Sequence, residues 1–227
     1  MTIAQFRDHL GKYLAADLDN FHGEAPVNAD LDQQINRAYR AVARRIGWYQ
    51  MGVALTLSAN VWIYDLEDVA FARPMLAVEI VRIDGVPLMD WRQKPGMLSQ
   101  AEMDATYPGW PAGGTAGTIV GASQIGRKLY VYPKPNAGGT AHVDGYALPV
   151  LLSDANTTSE LPEALDAPIV ALAAIYAATP QVSEEEGLAR LASYDAAASA
   201  EIESFASANR EMRIARGAQR ASRMAGR

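Results

Sequence analysis

Cysteine is absent from the 227 residues of the chain. This excludes a disulfide framework, thiolate metal sites, CxxC redox chemistry and a cysteine nucleophile. Histidine is nearly as scarce. His9, His22 and His142 form no HxxxH, HExxH or HxH spacing, so each reads as a surface or half-buried residue rather than a ligand. There is no GxxxxGKS or GxxxxGKT loop to cradle a phosphate and no GxSxG elbow to present a serine. Long hydrophobic runs are missing too. The longest, Ile169 to Ala178, falls far short of the ~18–20 residues that span a bilayer. The opening Met1-Thr2-Ile3-Ala4-Gln5-Phe6-Arg7-Asp8 lacks the basic-then-apolar layout of a signal peptide. The expectation is a soluble intracellular or virion protein with no membrane partner.

What remains is ordinary in composition, 49% hydrophobic, and long enough for one large domain or two small ones. Charge is unevenly placed. Residues 208–227 hold Arg210, Arg213, Arg216, Arg220, Arg223 and Arg227 against Glu211, a balance of +5 in a chain whose total is −6. An acidic body with a basic tail predicts a docking extension, for an acidic protein surface or for nucleic acid.

Three zones follow from periodicity and turn chemistry. In residues 1–48, Phe6, Leu10, Tyr13, Leu14, Leu18 and Phe21 recur at steps of three and four until Gly23 and Pro26 interrupt them. Leu31, Ile35, Ala38, Tyr39, Val42 and Ile46 resume the pattern, with Asp30 and Gln33 spaced as a capping box and Gly47 placed as a C-terminal cap. From Trp48 to Val150 lie 12 of the 18 glycines and 8 of the 12 prolines, between short β-branched and aromatic runs. These predict strands near 53–57, 61–64, 77–83, 86–90, 117–120, 128–132 and 140–147. Asp84-Gly85 marks a type I′ hairpin, Ser99 with Glu102 caps a short helix, and Tyr107-Pro108-Gly109-Trp110-Pro111 reads as loop.

After a polar linker at 153–159 helices return. Pro162 or Pro168 suits a first helical turn, and the stretch 169–178 is apolar all round, as a buried central helix requires. Ser183 with Glu186 makes another capping box, three successive Glu (184–186) sit where the helix dipole favours them, and Leu188, Leu191, Asp195, Ala198, Ile202, Phe205, Asn209 and Met212 form the seam of a long helix. The predicted fold class is α+β. Two N-terminal and two C-terminal helices make an antiparallel bundle (1–48 and 161–208), a mostly antiparallel β module (49–160) is inserted in it, and a basic helical extension (209–227) follows.

Candidate chemistry is thin. Gly113-Gly114-Thr115-Ala116-Gly117 reads as a flexible loop entering a strand rather than a phosphate site. Asp65, Glu67 and Asp68 lie in a solvated turn, with nothing to fix a second carboxylate at glycosidase spacing. Asn156-Thr157-Thr158 fits a glycosylation sequon but reads as linker. Trp91, Tyr107, Trp110, Tyr130 and Tyr132 read as packing residues before they read as a stacking platform. No catalytic, cofactor or metal constellation is expected. The arginine series is the specific feature. On an α-helix Arg213, Arg216, Arg220, Arg223 and Arg227 fall within about 80° of arc, with Arg210 about 60° beyond, a face suited to bidentate pairing with carboxylates or phosphates.

In this layout the sequence resembles the head-to-tail adaptor (connector) proteins of tailed bacteriophages, of the short-tailed-phage type. The resemblance is carried by the segment from Asp30-Leu31-Asp32 to Arg44-Arg45, by Ile80-Val81-Arg82-Ile83-Asp84-Gly85-Val86-Pro87-Leu88, by Leu129-Tyr130-Val131-Tyr132-Pro133-Lys134-Pro135, and by Glu160-Leu161-Pro162-Glu163. It implies a structural virion protein at the portal vertex, a homo-oligomeric ring of twelve subunits that joins the portal protein to the tail nozzle or tail fibre proteins. Genomic DNA would pass through the ring without sequence-specific binding, and the C-terminal helix, here Arg210 to Arg227, would embrace the portal. Two other readings stay open: a nucleic-acid-binding protein that sets the same arginines on phosphates, and a carbohydrate-acting protein using the β-zone aromatics and the Asp65 region.

Overall fold

Apolar residues at steps of three and four build the first helices of the computed structural model, which describes residues 1–18, 28–89, 96–156, 158–178 and 185–225. Helix α1 (Ile3–Leu18) buries Ile3, Phe6, Leu10 and Leu14. Thr2 opens it with an unforeseen capping exchange: the Gln5 amide donates to Thr2 Oγ1 at 3.2 Å and the Thr2 amide to Gln5 Oε1 at 2.8 Å. Helix α2 (Asn28–Ile46) buries Leu31, Ile35, Ala38, Tyr39, Val42, Ala43 and Ile46 and closes at Gly47, whose φ of 59° only glycine adopts without strain. It begins two residues before the expected Asp30 cap, so the Asp30 backbone lies inside the first turn.

The chain divides into two units, Met1–Gly47 with Pro149–Arg227, and Trp48–Leu148. In the first, helix α4 (Asp166–Ala178) buries residues on every side, including Pro168 in its first turn, and α1, α2 and helix α5 (Glu185–Ala225) all pack on it. Helix α5 contributes Ala198, Ile202 and Ala206 to that core. Asp195, expected in the seam, is exposed although it lies only about 20° from the Ile202 line. The expected Ser183–Glu186 cap, the side chains of Leu188 and Met212, and Phe21 lie outside the described residues.

The second unit holds two antiparallel sheets. Strands β1 (Tyr49–Leu57), β7 (Gly139–Ala147), β3 (Met75–Ile83) and β4 (Val86–Pro87) form one in that order, and β2 (Ile63–Asp65), β6 (Lys128–Tyr132) and β5 (Gly121–Ile125) the other. Their facing sides share one core, with Leu55, Leu66, Val81, Leu129, Val131 and Val143 at its centre. Asp84 and Gly85 have φ of 52° and 78°, the left-handed pair of a type I′ turn, and set Ile83 opposite Val86. Helix α3 (Gln100–Thr106) starts in the full Ser99–Glu102 capping box.

Two strand expectations and one loop expectation are corrected. Residues 117–120 touch the facing segment only at separate points, Gly117 to Lys134 and Val120 to Tyr132, and pairing becomes continuous only at Gly121. Pro133 and Pro135 stand in the facing segment and have no N–H to offer a ladder. Likewise β4 stops at Pro87 instead of running to residue 90. Residues 110–112, read as loop, form a 3₁₀ turn.

Candidate docking helix and the clusters around it

Helix α5 places the predicted site residues. Its backbone is helical without interruption for 41 residues, through Ala225, which is the condition for positions 213, 216, 220 and 223 to share one arc, with position 210 about 60° beyond it. Arg210 is exposed, its Nε 3.4 Å from the Ala206 carbonyl. The side chains of Arg213, Arg216, Arg220 and Arg223, and all of Arg227, lie outside the described residues. Where α5 leaves α2, Arg45 donates to Ser199 Oγ at 2.9 Å.

The helical unit is tied by side chains the sequence reading did not single out. Arg7 grips Asp32 through two bonds of 2.6 Å and reaches Asp154 at 3.1 Å. The hydrogen bond to Asp32 raises the Arg7 guanidinium pKa above its already high ordinary value. Asn36 both donates to the Leu152 carbonyl, at 2.9 Å, and accepts from the Leu152 amide, at 2.7 Å. The buried Tyr39 hydroxyl accepts the Glu160 amide at 2.6 Å. The Met1 amine meets the buried Asp166 at 2.7 Å. On the outer side of α2, Arg37 lies 4.3 Å above the Tyr176 ring and Arg44 is exposed.

The alternative sites are used up in packing. Trp110 is buried, donates its indole N–H to Asp104 at 2.7 Å and meets the Tyr130 ring edge-on, while Tyr107 and Tyr132 lie 4.9 Å apart. With Leu98 and Met103 they hold α3 on the sheet, which leaves no open stacking row among them. Trp91 lies outside the described residues. The glycine run serves the same packing: a Cβ at Gly113 would stand 2.6 Å from the Trp62 ring, and one at Gly114 2.6 Å from that of Tyr132. Asp65 accepts the Glu67 amide at 3.0 Å, Asp68 accepts that of Val69 at 2.6 Å, and Arg127 pairs with Glu67 at 2.5 Å. All three acids are exposed, a turn stapled to one arginine rather than an acid–base pair.

One buried acid had no forecast. Asp144 is 1% exposed, pairs with Arg82 on β3 and accepts the Gly52 amide at 2.9 Å, so it bridges three strands where β1 bulges between Gln50 and Val53. Its only trace in sequence is an aspartate followed by glycine inside a strand. His9 and His142 are exposed and His22 is outside the described residues. Among the described residues no three His, Cys, Asp or Glu side chains gather as a metal site, and no helix is long and apolar enough to cross a membrane.

Comparison with known families gives a match along nearly the full length: the model of the family described as SU10 adaptor protein covers residues 1–226. No curated protein matches the chain significantly.

Proposed function

Because the chain belongs to the SU10 adaptor protein family, a family of bacteriophage adaptors, we propose that its part is structural rather than catalytic and that it forms a ring joining the portal to the tail in the virion. In this reading the helices of the first unit pack as an antiparallel bundle and supply lateral contacts in a ring of twelve. The β unit offers a platform to tail nozzle or fibre proteins, and DNA passes through the channel without being read. Arg210, Arg213, Arg216, Arg220, Arg223 and Arg227 dock an acidic surface of the portal protein. The observation that carries the assignment is the unbroken 41-residue helix that ends in this arginine run on a chain that is otherwise acidic. An acidic body also suits a channel wall from which DNA is repelled rather than held.

The test is electron microscopy of the purified chain mixed with the portal protein encoded beside it, with and without residues 208–227, and with Arg213, Arg216 and Arg220 replaced by Glu. The expected result is rings that extend the portal only when the arginines are present, with the far-ultraviolet circular dichroism of the variant unchanged. Attachment that survives the charge reversal rejects the arginine assignment. Failure of every variant to add density to the portal, together with salt-dependent DNA binding, turns the arginines toward phosphate.

A further inference from the structure

The phase of α5 holds a constraint on how its partner must lie. With Ile202 as the reference and about 100° per residue, the other buried positions, 198 and 206, fall about 40° to either side. Carried along the same continuous helix, positions 213, 216, 220 and 223 fall at about 20°, −40°, 0° and −60°. The arginine run therefore prolongs the line that α5 turns toward α4 and α2. The opposite line is equally continuous. Ala197, Ala200, Ser204 and Ser207 are exposed, and positions 211, 215, 218 and 222 continue it with Glu, Ala, Ala and Ser.

We infer that α5 works as one rigid rod in which the helical unit fixes the rotation of the arginine face. Resting on the proposed docking to the portal, this means that the acidic portal surface takes up, along the second half of α5, the side that the protein's own core occupies along the first half. Arg213, the first arginine on that line, follows Ala206, the last buried residue described on α5, by seven residues or about two turns of uninterrupted helix, so no hinge is needed between the two halves. The occupant follows from charge: a face of arginine at positions spaced three and four apart fits a ridge or groove of carboxylates, while the rest of this chain carries a net negative charge. A flexible basic tail makes no such demand, because its charges reach a partner from any rotation.

Rotation and reach can be separated by insertion between Asn209 and Arg210. Two alanines turn the arginine face by about 200° while moving it about 3 Å, whereas four alanines turn it by only about 40° while moving it about 6 Å. Affinity for purified portal protein, measured at one fixed salt concentration, is expected to fall at least about tenfold with two alanines and to be better preserved with four. Equal tolerance of both insertions, equal loss with both, or greater loss with four overturns the rod. The triple Arg→Glu variant keeps the two hypotheses apart. If charge reversal abolishes binding and both insertions are tolerated, docking stands and the fixed phase falls; if charge reversal has no effect, the docking assignment itself is wrong. A thermal melt of each insertion variant, expected to match the parent because the insertion lies beyond the last buried residue, confirms that the fold is intact.

Discussion

In the helical unit, Asn36 reaches Leu152 across 116 residues, Tyr39 reaches Glu160 across 121, and Arg7 reaches Asp154 across 147, every one of them through a side chain. In the β unit, the distant segments meet through main chain instead: β7 pairs with β1 on one side and β3 on the other. The cause is where each element spends its backbone groups. A helix satisfies its own N–H and C=O groups, so an irregular segment such as 151–160 is hydrogen-bonded to α1 and α2 through polar side chains, and its main-chain bond, from the Ser159 amide to the Met1 carbonyl at 2.9 Å, reaches residues ahead of α1. A strand leaves its groups for a neighbour, so pairing itself is the fastening, and what limits it is how closely two backbones can approach. Asp144 and Gln124 are exceptions that fit the rule: the β1 bulge strands the Gly52 amide, which Asp144 collects, and the β3 register shift strands the Val78 amide, which Gln124 Oε1 accepts at 2.8 Å.

The comparison breaks most visibly at Gly145. A Cβ there would lie 2.1 Å from the Ala77 carbonyl oxygen and 2.9 Å from the Val78 Cα, both of them backbone, where β3 and β7 cross a register shift. Gly145→Ala is expected to destabilise the β unit by at least about 4 kcal/mol in urea unfolding followed by tryptophan fluorescence. Gly139→Ala, with nothing within 4 Å, is the matched control and should be nearly neutral. A loss below about 1 kcal/mol at Gly145 means the strands can part to admit a methyl group, and close approach is not what limits this sheet.

The corresponding lesion in the helical unit is Asn36→Ala. It removes no packing of note but leaves the Leu152 amide and carbonyl without the two bonds that Asn36 supplies. A cost of about 2 kcal/mol is expected, in the helical unit alone. Asn36→Asp sharpens the point: it keeps the acceptor for the Leu152 amide, loses the donor to the carbonyl, and should fall between the parent and alanine. If Asp and Ala cost the same, the amide bond contributes nothing and the side-chain fastening of 151–160 is weaker than the geometry implies.

How far each unit can be read from sequence follows the same division. Helical periodicity is local, so the buried faces of α1 and α2, the all-round burial of 169–178 and the seam at Ala198 and Ile202 were legible from spacing alone. So were Asp84-Gly85 and the Ser99–Glu102 box, whose signals lie within four residues. Strand limits were not, because they depend on the partner: Thr118-Ile119-Val120 has strand composition but faces two prolines, while Gly121-Ala122-Ser123 has little strand propensity and pairs with β6. Asp144 with Arg82, and Asn36 with Leu152, join residues 62 and 116 apart, a relation no periodicity encodes. The continuation of α5 through residues 210–225 was legible because the signals of a helix are local; the phase of that run relative to the core needed the burial pattern of α5.

The smallest expected effect compares one buried tyrosine from each unit. Burial pushes the Tyr39 and Tyr64 hydroxyls above the ordinary phenol value of 10.0. A group with a raised folded value contributes stability that is complete below the unfolded value and is lost as pH rises through the folded one, so both units should be insensitive to these tyrosines at pH 7 and weaken above about pH 10. The two differ in what ionisation breaks. Tyr39 accepts the Glu160 amide, a bond a phenolate can keep, whereas Tyr64 accepts the Ser58 amide at 3.2 Å and also donates to the Val61 carbonyl at 3.0 Å, a bond a phenolate must lose. Tyr39→Phe should therefore cost only about 1 kcal/mol at neutral pH and flatten the alkaline slope of the helical unit. Tyr64→Phe should flatten the slope of the β unit more strongly. Thermal melts between pH 7 and 11 give both slopes, and an alkaline slope left unchanged by Tyr39→Phe would assign the loss to another group and leave the helical unit's hold on Glu160 independent of the phenol's charge.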